Sequence, residues 1–146
     1  MKRSMAIKTE RKIQILPEEE SYIIPGINEI KCISHKQTLS LVLGSCISTV
    51  FVGKSDKYYL AANHIVISSP RPGSLIGKKS ASVQINEIEE LFTTQLNIEK
   101  EHMACLHLVG GGSHNPDPSF TVHHKNISET EYLLKDKNFT PFFQDT

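Results

Sequence analysis

The middle of the chain is a succession of short, β-branched apolar runs separated by turn residues, and no other feature restricts the fold as strongly. Runs this short, joined by turn signals such as Pro25-Gly26 and Gly53 to Asp56, predict closely spaced strands. Parallel strands need long crossover connections, so the pattern favours an antiparallel sheet over β-α-β units. The runs cover residues 27–33, 39–43, 47–52, 58–62 and 65–67.

Beyond this region the apolar spacing becomes helical. Residues 82–96 carry apolar side chains on one face and glutamates on the other, and residues 104–109 return to a buried strand. The capping-box pattern Ser128 to Glu131 predicts the start of a second helix that ends near residue 138, before a last strand over residues 139–143. The order predicts an α+β fold: a layered α/β sandwich with a mixed, largely antiparallel sheet and two main helices.

Length and charge restrict the classes of function. The 146 residues fit a flexible arm at 1–21 and a single domain at 22–146. Lysine plus arginine and aspartate plus glutamate balance at 16 each, which argues against a nucleic-acid partner. No apolar stretch approaches the roughly 20 residues of a membrane span, and no signal peptide is visible, so we expect a cytoplasmic protein.

The three cysteines predict thiol chemistry at one position at most. An odd count without metal-like spacing argues against disulfides, and Cys32 and Cys105 lie in apolar strands that suit core positions. The histidines lack paired spacing, and adjacent His123 and His124 would point to opposite faces if extended. We therefore expect neither a metal nor a cofactor.

The segment Gly44-Ser45-Cys46 is the strongest candidate for a nucleophilic site. Glycine permits a turn that exposes the thiol at a strand end, and backbone N–H groups there suit an oxyanion. His64 follows Cys46 by 18 residues, enough for a strand, a turn and a return strand, and an imidazole activates a thiol. The alternative is that Cys46 is a small buried hydrophobe.

Two loops are candidates for the surroundings of this site. The run Gly110-Gly111-Gly112 lacks the Lys-Ser/Thr of a phosphate loop, so it predicts either a close backbone approach beside the site or a plain turn. The loop from Pro70 to Lys79 has two prolines and two glycines and predicts a mobile flap that borders the site.

Leu43-Gly44-Ser45-Cys46 followed by Asn63-His64 resembles the chemoreceptor glutamine deamidases (CheD). The order of elements over residues 22–143 and the segment Asn126-Ile127 resemble that family as well. The resemblance implies a cytoplasmic protein-glutamine deamidase that converts receptor glutamines to glutamate and releases ammonia. Its partners would be the helical cytoplasmic region of methyl-accepting chemotaxis receptors and a CheC-type phosphatase.

The resemblance also implies roles for individual residues. Cys46 would be the nucleophile and His64 its general base, while Ser40 stands where the family has a threonine that orients the imidazole. The oxyanion and substrate loops would comprise Gly44, Ser45, Asn63, Gly110 and Gly111. The domain is short at its C-terminus for the family, which leaves an alternative: a catalytically weak homologue that mainly binds a chemotaxis phosphatase or receptor.

Overall fold

The computed structural model describes residues 22–23, 29–34, 38–40, 43–66, 68, 80–112 and 121–146. In this part of the chain, seven strands and two α-helices follow one another. The strands are β1 (Tyr22–Ile23), β2 (Ile30–Ser34), β3 (Thr38–Leu39), β4 (Ile47–Lys54), β5 (Tyr58–Asn63), β6 (Met103–Gly110) and β7 (Phe143–Asp145), and the helices are α1 (Ala81–Glu90) and α2 (Val122–Asp136). Neither helix is long and apolar enough to cross a membrane.

The main sheet has five strands in the order β2-β5-β4-β6-β7. The first three pairings are antiparallel, whereas β7 lies parallel to β6. Strands β1 and β3 form a separate parallel pair of two residues each. The predicted α+β class, with a mixed sheet and two helices, is therefore confirmed.

One face of this sheet carries the hydrophobic core. Residues that lie opposite each other on antiparallel strands share a face, and Phe51 lies opposite both Ala61 and Cys105. All three are at most 1% exposed. Both helices cover this face, because their apolar residues belong to the same cluster, which includes Ile85, Ile88 and Leu134.

The alternate residues of the strands point to the opposite face. Ile33 lies opposite Leu60, and Ala62 lies opposite Val50. Ile33 and Ala62 are buried but lie outside the helix-covered core cluster. The sheet therefore has two distinct faces, and the alternation along β4 and β5 decides which side chain belongs to which.

Helix α1 begins where the sequence predicts. The Ser80 hydroxyl accepts a hydrogen bond from the Val83 N–H at 3.2 Å, which caps the helix. Its buried residues, Ala81, Gln84, Ile85 and Ile88, recur at helical spacing. The predicted helix to residue 96 is not regular throughout, because residues 91–95 form a π-helical turn.

Helix α2 begins six residues before its predicted start. It starts at Val122, and Ser128 therefore lies inside it, with its hydroxyl 3.4 Å from the Lys125 carbonyl. The capping-box prediction was wrong because His123 and Asn126 are buried, so tertiary packing orders the first turns. The predicted end near residue 138 is confirmed, since Asn138 has φ = 64° beyond the last turn.

Two strand predictions were also wrong. In the run 39–43, only Leu39 belongs to a strand, and that strand lies outside the main sheet; residues 41–42 are outside the described part. The last strand covers Phe143–Asp145 instead of residues 139–143, because Phe139 packs its ring edge-on against Phe51 at 5.0 Å. The predicted arm at 1–21 and the flap from Pro70 to Lys79 lie outside the described residues.

Candidate active site

Cys46 and His64 lie at the open end of the β4–β5 hairpin. Cys46 directly precedes β4, and His64 directly follows β5. The residues that follow them, Ile47 and Ile65, pair across this end of the hairpin and exchange two backbone hydrogen bonds of 2.9 and 2.8 Å. The strand-turn-strand connection expected from the spacing of the two residues is therefore present.

The register predicts that the two side chains share one face of the sheet. With Ile47 opposite Ile65, the residue opposite His64 is Ser48, and Cys46 is two positions before Ser48. Residues two apart on a strand share a face, so continuing this register by one residue at each strand end makes Cys46 and His64 diagonal neighbours. Such neighbours have Cα atoms roughly 7–8 Å apart, within side-chain reach. Their shared face is opposite the helix-covered core.

Burial separates Cys46 from the other two cysteines. Cys46 is half-buried, whereas Cys32 and Cys105 are 0% and 1% exposed on the core face. Burial raises the pKa of both core thiols to about 12. Their prediction as core residues is confirmed. His64 is 8% exposed, so its imidazole is largely shielded from water.

Asn63 interrupts the backbone pairing next to His64. Its Oδ1 accepts the Thr49 N–H at 2.7 Å, the donor that a backbone carbonyl would bind in a continuous ladder. The regular β4–β5 register accordingly starts only at Val50 opposite Ala62. The side chain of Asn63 is fully buried, and within the described part its Nδ2 has no hydrogen-bond partner. Asn63 is thus tied to β4, and its predicted substrate role stays a prediction.

The glycine run after β6 holds the backbone of the Cys46 segment. Gly111 N–H donates to the Cys46 carbonyl at 2.8 Å, and Gly112 N–H donates to the Gly44 carbonyl at 2.9 Å. Gly110 has φ = 108°, and a Cβ there would lie 2.4 Å from the Cys46 oxygen. The predicted close backbone approach is confirmed. Since Gly111 N–H binds the Cys46 carbonyl, its role is to fix that segment, and its predicted oxyanion role stays untested.

Gly44 does not need glycine's backbone freedom. Its φ lies outside the positive region, and a Cβ at this position would have no atom of the described residues within 4 Å. The turn before Cys46 therefore does not use a backbone conformation that is special to glycine.

Asn126 is a residue of this site to which the sequence gave no role. It lies on α2, is 1% exposed and uses both atoms of its amide. Nδ2 donates to the Ser45 carbonyl at 3.0 Å and to the Val66 carbonyl at 2.9 Å, while Oδ1 accepts the Ser68 N–H at 2.8 Å. One side chain therefore joins the segment before Cys46 to the segment after His64. Its helical spacing from buried Thr130 and Leu134 was the available signal.

Ser40 directly follows β3 and is half-buried. Residues 41–42, which lie outside the described part, and Leu43 separate Ser40 from the turn before Cys46. Its role toward His64 stays a prediction from the resemblance.

Among the described residues, the group best placed to bind a cation is the exposed trio Glu99, Glu101 and His102. It lies just before β6, whose first residue, Met103, pairs with Gly53 at the closed end of the hairpin. This trio is therefore at the far end of the sheet from Cys46. His123 and His124 lie in a helix, with ring centroids 3.9 Å apart. The prediction that they point to opposite faces assumed an extended segment and does not apply to them.

Comparison with known proteins adds no assignment. No protein-family model matches this chain, and no curated protein matches it. The chemistry of the site is therefore argued from the positions of Cys46, His64 and the residues that hold them.

Proposed function

We propose that this protein is a cysteine-dependent protein-glutamine deamidase. The observation that carries the proposal is the register of the β4–β5 hairpin, which makes a half-buried thiol and a shielded imidazole neighbours on one face. A thiol and an imidazole in this relation are the parts that amide hydrolysis by a covalent route requires. The resemblance of the Cys46 and His64 motifs to the CheD family supplies the substrate class.

The reaction would proceed through a thioester. His64 takes the proton of Cys46, and the thiolate attacks the carboxamide carbon of a glutamine side chain. Backbone N–H groups of the Gly44 to Cys46 turn hold the resulting oxyanion. His64 then returns the proton to the departing ammonia. A water molecule, activated by His64, hydrolyses the thioester to give glutamate and the free thiol.

The substrate would be a glutamine on a folded protein surface. Cys46 is half-buried, and no atom of the described residues lies within 4 Å of a Cβ built at Gly44. An exposed glutamine on a helical cytoplasmic region of a chemotaxis receptor fits this access. We propose such receptors as substrates, a CheC-type phosphatase as a partner and the cytoplasm as the location.

The test is mass spectrometry of receptor fragments incubated with the protein. Deamidation adds about one dalton at each modified glutamine, and Cys46→Ala should abolish this change while the protein stays folded. Cys105→Ala is the matched control, because it removes a buried thiol on the neighbouring strand and should keep activity. An equal rate for the wild-type and Cys46→Ala proteins would contradict the proposal.

A binding function is the second candidate, and one surface favours it. Strand β7 is at the end of the sheet order, all its residues are exposed, and Phe142 and Phe143 are 70% and 61% exposed. Exposed aromatic side chains on an edge strand suit a protein partner. A catalytically weak homologue would bind its partner through β7 equally well with and without Cys46. Phe143→Ser would weaken that binding and leave deamidation unchanged.

A further inference from the structure

We propose that Asn126 is a positioning residue for the Cys46–His64 pair, and that Glu129 supports it from the next turn of α2. The inference rests on the proposed function for the identity of the reacting groups. It concerns what keeps these groups in register, which the two sequence motifs do not specify.

The hydrogen bonds of Asn126 show why one side chain has this effect. Its Nδ2 binds the carbonyl of Ser45, the residue directly before Cys46, and the carbonyl of Val66, two residues after His64. In a regular antiparallel ladder, Cys46 would be opposite Val66, so Asn126 joins the two segments where they diverge. The backbone bonds between Ile47 and Ile65 fix only one pair at this end.

Glu129 fixes the other side of the His64 segment. Oδ1 of Asn126 accepts the Ser68 N–H, and the Ser68 hydroxyl donates to Glu129 Oε1 at 2.7 Å. Ser68 is 3% exposed, and α2 satisfies its N–H and its hydroxyl inside the protein. The segment that begins at His64 is thus attached to the same helix as the segment that ends at Cys46.

Burial makes the loss of these hydrogen bonds costly. Asn126 is 1% exposed, so the carbonyls of Ser45 and Val66 would lose their partner without ready replacement by water. The backbone would then shift to satisfy them. Because Asn126 binds backbone groups beside Cys46 and His64, the consequence appears as a change in the distance between thiol and imidazole.

The experiment measures Cys46 directly. Iodoacetamide modification of the full chain, mapped by peptide mass spectrometry across a pH series, gives the alkylation rate of Cys46 and the midpoint of its pH profile. Asn126→Asp keeps the acceptor for Ser68 and loses both donors, and Asn126→Ala loses all three bonds. Thr130→Val is the matched control, because Thr130 is buried one turn further along α2 and its hydroxyl has no partner among the described residues.

We expect both Asn126 variants to move the midpoint of the profile upward and to lower the Cys46 alkylation rate at pH 7. Displacement of a reacting group by about 1 Å costs on the order of 100-fold in rate, so kcat for deamidation should fall by that amount with little change in KM. Glu129→Ala should produce a smaller change in the same direction. Thr130→Val should leave the profile and kcat unchanged.

A double-mutant cycle separates positioning from a general loss of structure. If Asn126 acts through His64, then Asn126→Ala should have no further effect on Cys46 alkylation in a His64→Ala background. An equal effect in both backgrounds would overturn the proposal. So would folded Asn126 variants with the wild-type profile. If those variants do not fold, Glu129→Ala tests the proposal in their place. An unchanged pH profile of Cys46 alkylation in that variant would contradict the proposal that α2 positions the pair.

The alkylation measurement does not require deamidase activity. A wild-type protein that forms no product, but whose Cys46 reactivity depends on Asn126 and His64, would refute the proposed function and keep this inference. If the wild-type protein deamidates its substrate and the Asn126 variants have an unchanged rate and profile, the proposed function is supported and this inference is refuted.

Discussion

The two ends of the β4–β5 hairpin are held together by different interactions. At the closed end, backbone pairing is continuous: Gly53 pairs with Tyr59 and Lys54 with Tyr58, and Ser55 N–H donates to the Lys57 carbonyl at 3.2 Å. Side chains contribute little to the stability of this end, because Ser55, Asp56 and Tyr58 are exposed.

At the open end, side-chain amides replace part of the backbone ladder. Asn63 binds the Thr49 N–H, and Asn126 joins the Ser45 and Val66 carbonyls from helix α2. A sheet end held in this way keeps two strand termini at a fixed separation without closing them into a turn. The comparison teaches that the geometry of the open end depends on individual buried side chains, whereas the geometry of the turn depends on the backbone.

The largest expected contrast is in thiol reactivity. Cys46, at the open end, should be alkylated in the native protein at least about 1,000-fold faster than Cys32 or Cys105. At pH 7 a thiol whose pKa is about 12 is ionised in roughly one molecule in 10⁵, and both core thiols are at most 1% exposed. Mass spectrometry of peptides at increasing times measures all three rates in one sample.

The denatured protein is the control for that measurement. In guanidinium chloride the three cysteines should react at similar rates, because burial no longer distinguishes them. Comparable native rates would mean that Cys46 is an ordinary core thiol, which is the alternative left open by the sequence.

The next largest effect should come from the glycines beside Cys46. Gly110→Ala should destabilise the protein by about 3 kcal/mol or more, because its φ is 108° and the new Cβ would lie 2.4 Å from the Cys46 oxygen. Gly44→Ala is the matched control, with no atom of the described residues within 4 Å of its Cβ, and should change stability by about 0.5 kcal/mol at most. Urea unfolding measures both. Equal stabilities of the two variants would contradict the close approach at Gly110.

A smaller effect is expected at Asn63. Asn63→Leu should lower the free energy of unfolding by about 1–3 kcal/mol, because the Thr49 N–H loses the side-chain oxygen that it binds in a fully buried position. Ser55→Ala, at the closed end, removes an exposed hydroxyl and should change stability by less than about 0.5 kcal/mol. If thermal unfolding gives equal losses for the two variants, the contrast between the ends is wrong.

The smallest effect concerns the charge at the closed end. The Ser55 hydroxyl donates to the Asp56 carboxylate at 2.9 Å and, as the main cause, lowers the pKa of Asp56 below its usual 3.8. A lowered folded-state pKa gives a contribution to stability that is present above pH 3.8 and is lost as the pH falls through the folded-state value. NMR titration should therefore show the pKa of Asp56 rising toward 3.8 in Ser55→Ala. The same variant should leave Cys46 alkylation unchanged.

Local patterns were enough to predict most of the elements. The turn residues and β-branched runs predicted β4, β5 and the antiparallel sheet, and helical spacing predicted α1, because in these segments pattern, propensity and packing agree. The core positions of Cys32 and Cys105 followed from their apolar flanks. Predictions were wrong where a distant element overrode the local signal, as at Ser128, which a capping box marked as a helix start and buried contacts placed mid-helix.

The same distinction between local signals and distant contacts holds for the candidate site. The sequence by itself determined which residues are the candidates for reaction, Cys46 and His64, since their side-chain types suit thiol chemistry and their spacing allows one hairpin. Only the tertiary structure decided the register of that hairpin, that Gly110 must lack a side chain and that Asn126, 80 residues beyond Cys46 in the sequence, holds the two segments together. The physical reason is that register and helix docking are set by contacts between residues far apart in the chain, and no local pattern encodes them.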